Sequence, residues 1–438
     1  MPLKQNEEIK EEFAVIPPDG GWGWIVLLCS FLCNLIVDGA IFTFGIFLES
    51  ISKTFKVHPT TVGIGHSLLT GFSPFTCGII NHYGFRPVAF VGGLIAATAF
   101  GVSTVVTSIE AFIIIFGVFG GIGLGMIYLP TIVIVGYYFE KWRSLASSLS
   151  AAGSAVGIIT FPIIVDDVMA DFDWQTKFKF IMGGCLFCSL LALTYRPIKP
   201  RRNTLYSRSS MRGPSLKSME GIKFHFQDCT QTIISMIIKM LNIKLMKSPS
   251  FTMLTLSVTI TGLGLFVPYL FLKERGKEVG LDEEMCSHMF IALGIANVVG
   301  RIGSALATSI PGANSLNVSY VNITICGLAT IISIFSKDVF TQFLYNAVFG
   351  LTSACIVSLR VPLVVSLLGL ENLTNGFGLL MLFYGLATFL GAPIGGQIAK
   401  STQSYNYAFI YAGCMFLISA ILLMLIKLTS KCERRRDE

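Results

Sequence analysis

The chain has 438 residues, 53% of them hydrophobic and 13% charged, with a formal net charge of +7. A water-soluble core cannot absorb that much apolar sequence without exposing large patches, which excludes a set of soluble domains. Long continuous apolar runs without ten-residue alternation exclude a β-barrel and leave a helical membrane protein.

Residues 1–18 are polar, carry Glu7, Glu8, Glu11 and Glu12, and end in Pro17-Pro18, which reads as a short cytosolic tail. No basic segment precedes a cleavable apolar core, so no signal peptide is expected. The first apolar run, 22–50, opens with Trp22 and Trp24, aromatic residues suited to the membrane–water boundary. Asp38 lies inside it, where a carboxylate is costly unless it faces protein or a wet cavity. Runs at 60–81, 87–107, 111–137, 144–166 and 174–195 complete a first set of six. A second set follows at 249–272, 285–308, 315–336, 340–368, 373–399 and 406–428. Each is near or above the ~20 residues that a helix needs to cross the hydrocarbon. The expected fold is an all-α membrane protein: twelve transmembrane helices in two six-helix halves, 19–196 and 249–428.

The segment 197–248 between the halves is basic. From Arg196 onward, eleven Lys and Arg stand against Glu220 and Asp228, more than the excess of the whole chain. The tail 429–438 is basic as well. Positive charge collects on the cytosolic side, so both termini, this loop and the connectors bearing Arg86, Lys141 and Arg143 are expected there. The opposite connector, 166–173, carries Asp166, Asp167, Asp171 and Asp173. Sequons at Asn317, Asn322 and Asn372 fall at the start of the ninth run and in a cytosolic turn, and none is expected to be glycosylated. Residues 227–247 are apolar but carry Lys239, Lys244 and Lys247, and read as a helix lying on the anionic inner leaflet. The basic loop lacks aromatic interleaving, so no nucleic-acid partner is expected.

The eleven cysteines are scattered, and Cys185-x-x-Cys188 lies inside a span; neither a disulfide framework nor a metal site is expected. No nucleophile–base set and no nucleotide-binding loop is present, which argues against an enzyme, a bound cofactor and an ATP-driven pump. Small residues are concentrated in three spans. The fourth holds Gly117, Gly120, Gly121, Gly123 and Gly125. The fifth holds Ala152-Gly153-Ser154-Ala155-x-Gly157 before Pro162, and the eleventh holds Gly391-Ala392-Pro393-x-Gly395-Gly396. Such spacing lets helix backbones approach closely. Its recurrence in the fifth and eleventh spans suggests an internal repeat.

Arg301 sits mid-helix among Ile, Val and Gly, so it must face the interior and have a partner. A guanidinium matches a carboxylate, which makes a small organic anion its natural transient partner. A fixed ion pair to Asp38 is the other reading, and substrate could compete with Asp38 for the same group. Arg360, before Pro362, is a second buried cation, either a carboxylate contact or a structural, gating charge snorkelling to the interface. Arg86, Lys141 and Arg143 read as cytosolic gate charges. His66 reads as a polar contact.

The stretch Pro18-Asp19-Gly20-Gly21-Trp22-Gly23-Trp24 resembles the opening signature of the monocarboxylate transporters, within the major facilitator superfamily. Tyr138-Phe139-Glu140-Lys141-Trp142-Arg143-Ser144-Leu145-Ala146, continuing to Ala152-Gly153 and Gly157, resembles the second signature. The likeness runs on through Leu368-Gly369-Leu370-Glu371 and Gly376-Phe377-Gly378-Leu379 to the last helix. It implies two six-helix halves, alternating access and a central substrate path in the lipid bilayer. In the best-known members a Lys in the first span and an Asp–Arg pair in the eighth couple a proton to a carboxylate. The matching positions here are Phe42, Asn297 and Arg301, and Trp142 and Ser148 depart from the second signature. The resemblance implies a plasma-membrane secondary transporter of small monocarboxylates, a proton symporter if Asp38 stands in for the missing acid. Asn297 would hydrogen-bond the substrate, and Phe42 would make the site roomier and more apolar. Other members carry aromatic amino acids, thyroid hormones, creatine or carnitine, some without protons, and some need a single-pass immunoglobulin-like subunit. A proton-independent carrier of such a solute is therefore the alternative, and a transport-dead receptor or scaffold a further one.

Overall fold

The computed structural model describes residues 13–14, 17–57, 76–196, 201–202, 243–310, 313–335 and 338–437. His66 with most of the run 60–81, and all but 243–247 of the stretch 227–247, lie outside the described residues. Twelve helical segments follow the twelve apolar runs. In the first half they are α1 (Trp22–Phe55), α2 (Thr76–Tyr83), α3 (Phe85–Ser103), α4 (Ile109–Tyr138), α5 (Arg143–Ile163) and α6 (Trp174–Ala192). In the second they are α7 (Pro249–Glu278), α8 (Glu283–Ser309), α9 (Ser315–Ile332), α10 (Val339–Leu368), α11 (Leu373–Thr402) and α12 (Tyr405–Asp437).

Among the described residues, ten of these helices are long and apolar enough to span a bilayer. The exceptions are α2, described over one end only, and α6, which carries Lys177 and Lys179 near its start. Polar side chains mark several helix starts. Ser248 accepts from the Phe251 amide ahead of Pro249, a pairing that satisfies one orphan donor and pre-sets the first turn. Asp173 accepts from the hydroxyl and amide of Thr176, and the hydroxyl holds its carboxyl below the ordinary aspartate range. A two-residue antiparallel pairing also joins Phe13 to Arg202 and Ala14 to Arg201.

The helices pack as two bundles. Helix α1 lies along α5, and α3 lies against α4 and α6; in the second half α7 lies along α11 and α12, and α8 along α10. Glycine makes these approaches possible. A Cβ at Gly153 would overlap the Phe31 carbonyl oxygen, and one at Gly157 the Leu35 carbonyl oxygen, so α5 rides directly on the α1 backbone. In the other half a Cβ at Gly391 would overlap the Leu263 carbonyl oxygen, which puts α11 on α7 in the same manner. The Gly-rich motifs thus occupy corresponding crossings in the two bundles.

The bundles meet chiefly where α5 faces α8. The face where α1 begins and α12 ends is called the terminal face below, and the opposite one the far face. Helix α10 bends at Leu359, where φ is −90° and ψ is 0°. The cause is Pro362, which has no N–H to give the Ser358 carbonyl four residues earlier. Replacing Gly153 by Leu should separate α5 from α1 at a cost of about 1–3 kcal/mol or more. The expected readout is a lower Tm of the purified protein and a loss of its monodisperse peak in gel filtration.

Candidate functional site

A cavity of about 650 Å³ lies between the two bundles. Its wall is mostly aliphatic and aromatic, with a few polar groups converging on it: Asp38, Tyr128, Tyr269, Asn297, Arg301 and Arg360. Large apolar pockets with a few convergent polar groups are the usual form of a small-molecule site.

Helix α8 carries Asn297 and Arg301 one turn apart on its cavity side. Arg301 is only 5% exposed. Its Nε donates to Asn297 Oδ1 at 2.9 Å, and its Nη1 donates across the bundle interface to the Ala151 carbonyl of α5 at 2.5 Å. Its remaining nitrogen, Nη2, has no hydrogen bond to the described chain. Among the described residues no ion pair joins Arg301 to Asp38; the fixed pair that sequence reasoning allowed is replaced by two neutral acceptors. Asn297 is fully engaged. Its Nδ2 lies 3.2 Å from Tyr269 Oη, 3.3 Å from the Gly350 carbonyl and 3.4 Å from Ser353 Oγ, all acceptors to it. Asn297 therefore positions Arg301, and little of its own capacity is left for a ligand.

Asp38 is half-buried on the cavity wall, near Ser154 and within the electrostatic reach of Arg301. Phe42, one turn further along α1, is 41% exposed and stacks on Phe266 of α7 at 6.1 Å between centroids. That contact joins the two bundles on the far side of Arg301. Arg360 does not snorkel: it is 3% exposed, and its guanidinium lies 3.9 Å above the Tyr384 ring.

Hydrogen bonds between the bundles are confined, among the described residues, to Arg301 and the terminal side of it. They are Arg301 to Ala151, Ser148 to Ser304 (3.4 Å), Tyr137 to Thr374 (3.1 Å) and Asn81 to Asn375. The cavity wall reaches toward the far ends of α5 and α7, at Ile163 and Leu270. The state is closed on the terminal face.

The expected gate charges do not form this closure. Arg143 donates through Nε to the carbonyls of Gly136 and Phe139, capping the end of α4 within its own bundle. Lys141 lies 5.4 Å from the Trp142 ring centroid, and Arg86 is exposed; among the described residues neither bonds to the other bundle. Neutral polar pairs take the role expected of charges, and nothing in the residue pattern singles them out.

The opening motif laces the terminal face together. Asp19 Oδ1 accepts from the amides of Glu140 (2.7 Å) and Lys141 (3.0 Å), and its own amide donates to the Tyr138 carbonyl. Trp22 donates from Nε1 to the Thr194 carbonyl at 2.8 Å and carries the Arg196 guanidinium 3.8 Å above its ring. Trp24 meets Phe139 edge-on at 5.1 Å. These residues hold α1 against α4, α5 and α6 at the terminal face, several turns of α1 before its first cavity-lining residue, Val37. Sequence reasoning missed Tyr128, Ser154, Phe266, Tyr269 and Tyr384, because single polar or aromatic residues in a span carry no signal of which way they face.

The sequence profile of the Major Facilitator Superfamily matches residues 30–344, more than half the chain. The chain belongs to the major facilitator superfamily. It is similar to Monocarboxylate transporter 4 of Gallus gallus, 26% identical over 421 residues that cover 93% of this chain and 83% of that one. It is similar also to Monocarboxylate transporter 10 of Homo sapiens, 28% identical over 422 residues covering 93% and 78%. Among solved structures, the human organic anion transporter MFSD10 superposes with a TM-score of 0.69 at 14% identity, covering 92% of this chain and 99% of that one. The proton:xylose symporter XylE superposes at 0.66 and 12% identity, covering 91% and 94%. The fold is the major facilitator bundle, and the chain is a divergent relative of the monocarboxylate transporters: a multi-pass transporter, not an enzyme.

Asp19→Ala should leave two amides of the α4–α5 turn without their carboxylate and cost about 1 kcal/mol. Asp19→Asn keeps the Oδ1 acceptor and should cost less. Thermal unfolding of the two purified variants beside the parent reads this order.

Proposed function

We propose that this transporter carries a small, carboxylate-bearing organic anion across the plasma membrane by alternating access, with Arg301 as the carboxylate ligand. The observation that carries the reading is a buried guanidinium on the wall of a cavity between two bundles, with Nη2 making no hydrogen bond among the described residues. An Arg at this depth is costly without a partner, and a carboxylate supplies paired acceptors to it. The resemblance to the monocarboxylate transporters supports the same cargo class.

The basic residues of 196–248 and of the tail 429–438 support a cytosolic terminal face with both termini on that side. The described state then faces outward. Solute enters from the far side, past Phe42 and Phe266, and its carboxylate reaches Arg301. The Nη1–Ala151 bond is one of the few links that close the cytosolic side. A carboxylate competes with the Ala151 carbonyl for that group, so loading weakens the closure it must later open. A ligand shifts such an equilibrium only by its differential affinity for the two states, and this competition supplies one.

Asp38 is the proton site in this reading. It lines the same cavity from the opposite bundle, beside Ser154. A protonated Asp38 removes one negative charge from beside an incoming anion. A second version of the function rests on the Phe42–Phe266 stack on the cavity wall: a larger amphipathic carboxylate taken up without a proton.

Arg301→Lys keeps the charge but loses the planar fork. Uptake of labelled monocarboxylates into proteoliposomes should fall about tenfold to a hundredfold, with the Tm reported alongside to separate binding from folding. Counterflow that fails for every carboxylate tried would favour a receptor or scaffold instead. Asp38→Asn should flatten the dependence of uptake on external pH; the same slope in parent and variant selects the proton-independent version.

A further inference from the structure

Below the main cavity, toward the terminal face, lies a second recess of about 20 Å³. Ser147 of α5, Arg301 of α8, and Ser358 and Arg360 at the bend of α10 are in its wall, with Tyr128 of α4. Four buried polar atoms of these residues have no partner among the described residues: Ser147 Oγ, Ser358 Oγ, and Nε and Nη2 of Arg360. The third nitrogen of that guanidinium, Nη1, has only the Met381 sulfur, at 4.0 Å. Sulfur is a weak acceptor. The Tyr384 ring covers one face of the group and supplies no hydrogen-bond acceptor in its plane.

Buried polar groups without partners are rare, and each calls for a ligand or a water. Here the unpartnered atoms are guanidinium N–H groups and hydroxyls that can rotate to donate. The wall also holds two guanidinium groups, those of Arg301 and Arg360, and no carboxylate. Asp38 lines the main cavity above; its neighbour Ser154 is in this wall, and Asp38 itself is not. A guanidinium stays charged even when buried, and an uncompensated buried charge is strongly unfavourable. A water brings no charge and accepts two hydrogen bonds. A monatomic anion brings the missing charge and accepts from four donors at once. The recess admits one particle of water or halide size. It has no room for a carboxylate together with its carbon.

The site is built by the fold. Pro362 bends α10 at Leu359, and the bend is flanked by the two residues that donate, Ser358 and Arg360. Ser147 faces them from the other bundle.

We infer that this recess is a halide site, occupied by chloride, beneath the carboxylate cavity, with which it shares Arg301 and Arg360, and present whatever the cargo. Because its donors come from both bundles, the anion ties α5 to α10 on the terminal side. Chloride then favours the state closed on that face, and must leave or be shed from one bundle as that face opens.

The test uses the full-length protein in detergent, its thermal unfolding followed at equal ionic strength in sodium chloride, sodium bromide or sodium methanesulfonate. Methanesulfonate is too large for the recess. The expected result is a Tm about 2 °C or more higher in chloride and bromide. Arg360→Gln should abolish the difference, and Ser147→Ala combined with Ser358→Ala should at least halve it. Equal Tm values for the parent in all three salts would overturn the inference, as would an undiminished chloride shift in Arg360→Gln. Should Arg360→Gln not fold, the double serine variant decides: an undiminished shift there is equally fatal. None of these readouts depends on carboxylate uptake, so the two readings stand or fall separately.

Discussion

A guanidinium at the depth of a membrane, touched by no carboxylate among the described residues, sets the terms for the rest of this structure. Arg301 is held by the Asn297 side chain of its own helix and by a main-chain carbonyl of the opposite bundle. Stripping the partner from a buried charge costs about 3–5 kcal/mol, so the surroundings must keep these acceptors in place. Asn297 is fixed by Tyr269 of α7 and by Ser353 and the Gly350 carbonyl of α10. The Ala151 carbonyl is fixed because α5 rides on α1 through Gly153 and Gly157. Four helices of the second and first bundles are thereby committed to one cation.

The contrast between packing inside and between the bundles follows from this. Inside each bundle, glycine crossings bring backbones into contact, and such contacts do not stretch or slide without overlap. Between them, four hydrogen bonds close the terminal face, three of them between uncharged side chains. At about 0.5–1.5 kcal/mol each, their net worth is a few kcal/mol. Driving a two-state equilibrium from one side to the other takes about 5.5 kcal/mol of differential affinity. The closure is therefore weak enough for a bound solute to influence, whereas a clamp of buried ion pairs would not be. Rigid halves with a breakable seam are what rocking about a midplane site needs.

The architecture was legible in the sequence because a bilayer imposes one-dimensional signals: a minimum apolar length, a charge asymmetry and a penalty on buried ions. Those signals located the spans and singled out Arg301 and Asp38. They do not encode which residues meet across the bundle. Phe42 and Phe266 stack from different halves, and Asn81 reaches Asn375. The charges near the terminal face misled for a physical reason. Arg143 follows the end of α4, where free carbonyls and the helix dipole attract a cation locally. The bend that admits Arg360 was in principle readable, since Pro362 must orphan the carbonyl at Ser358. The tertiary work of Asp19 was not, because its partners lie 121 and 122 positions away.

Asn297 is the departure with the largest consequence. An aspartate at this position would sit against Arg301 Nε, on the same helix, and neutralise it in every conformation. It would also have no N–H to give Tyr269, Ser353 or the Gly350 carbonyl. With Asn, the cation keeps its charge, and the nearest carboxylate on the cavity wall, Asp38, belongs to the other bundle. Two charges on one rigid helix interact equally before and after a rocking motion. Two charges on opposite bundles do not, because their separation changes as the seam opens and Coulomb energy follows distance. Placing the acid on α1 rather than α8 therefore makes the pairing vary with conformation, and if Arg301 binds the substrate as proposed, the field of Asp38 on it changes as the seam opens.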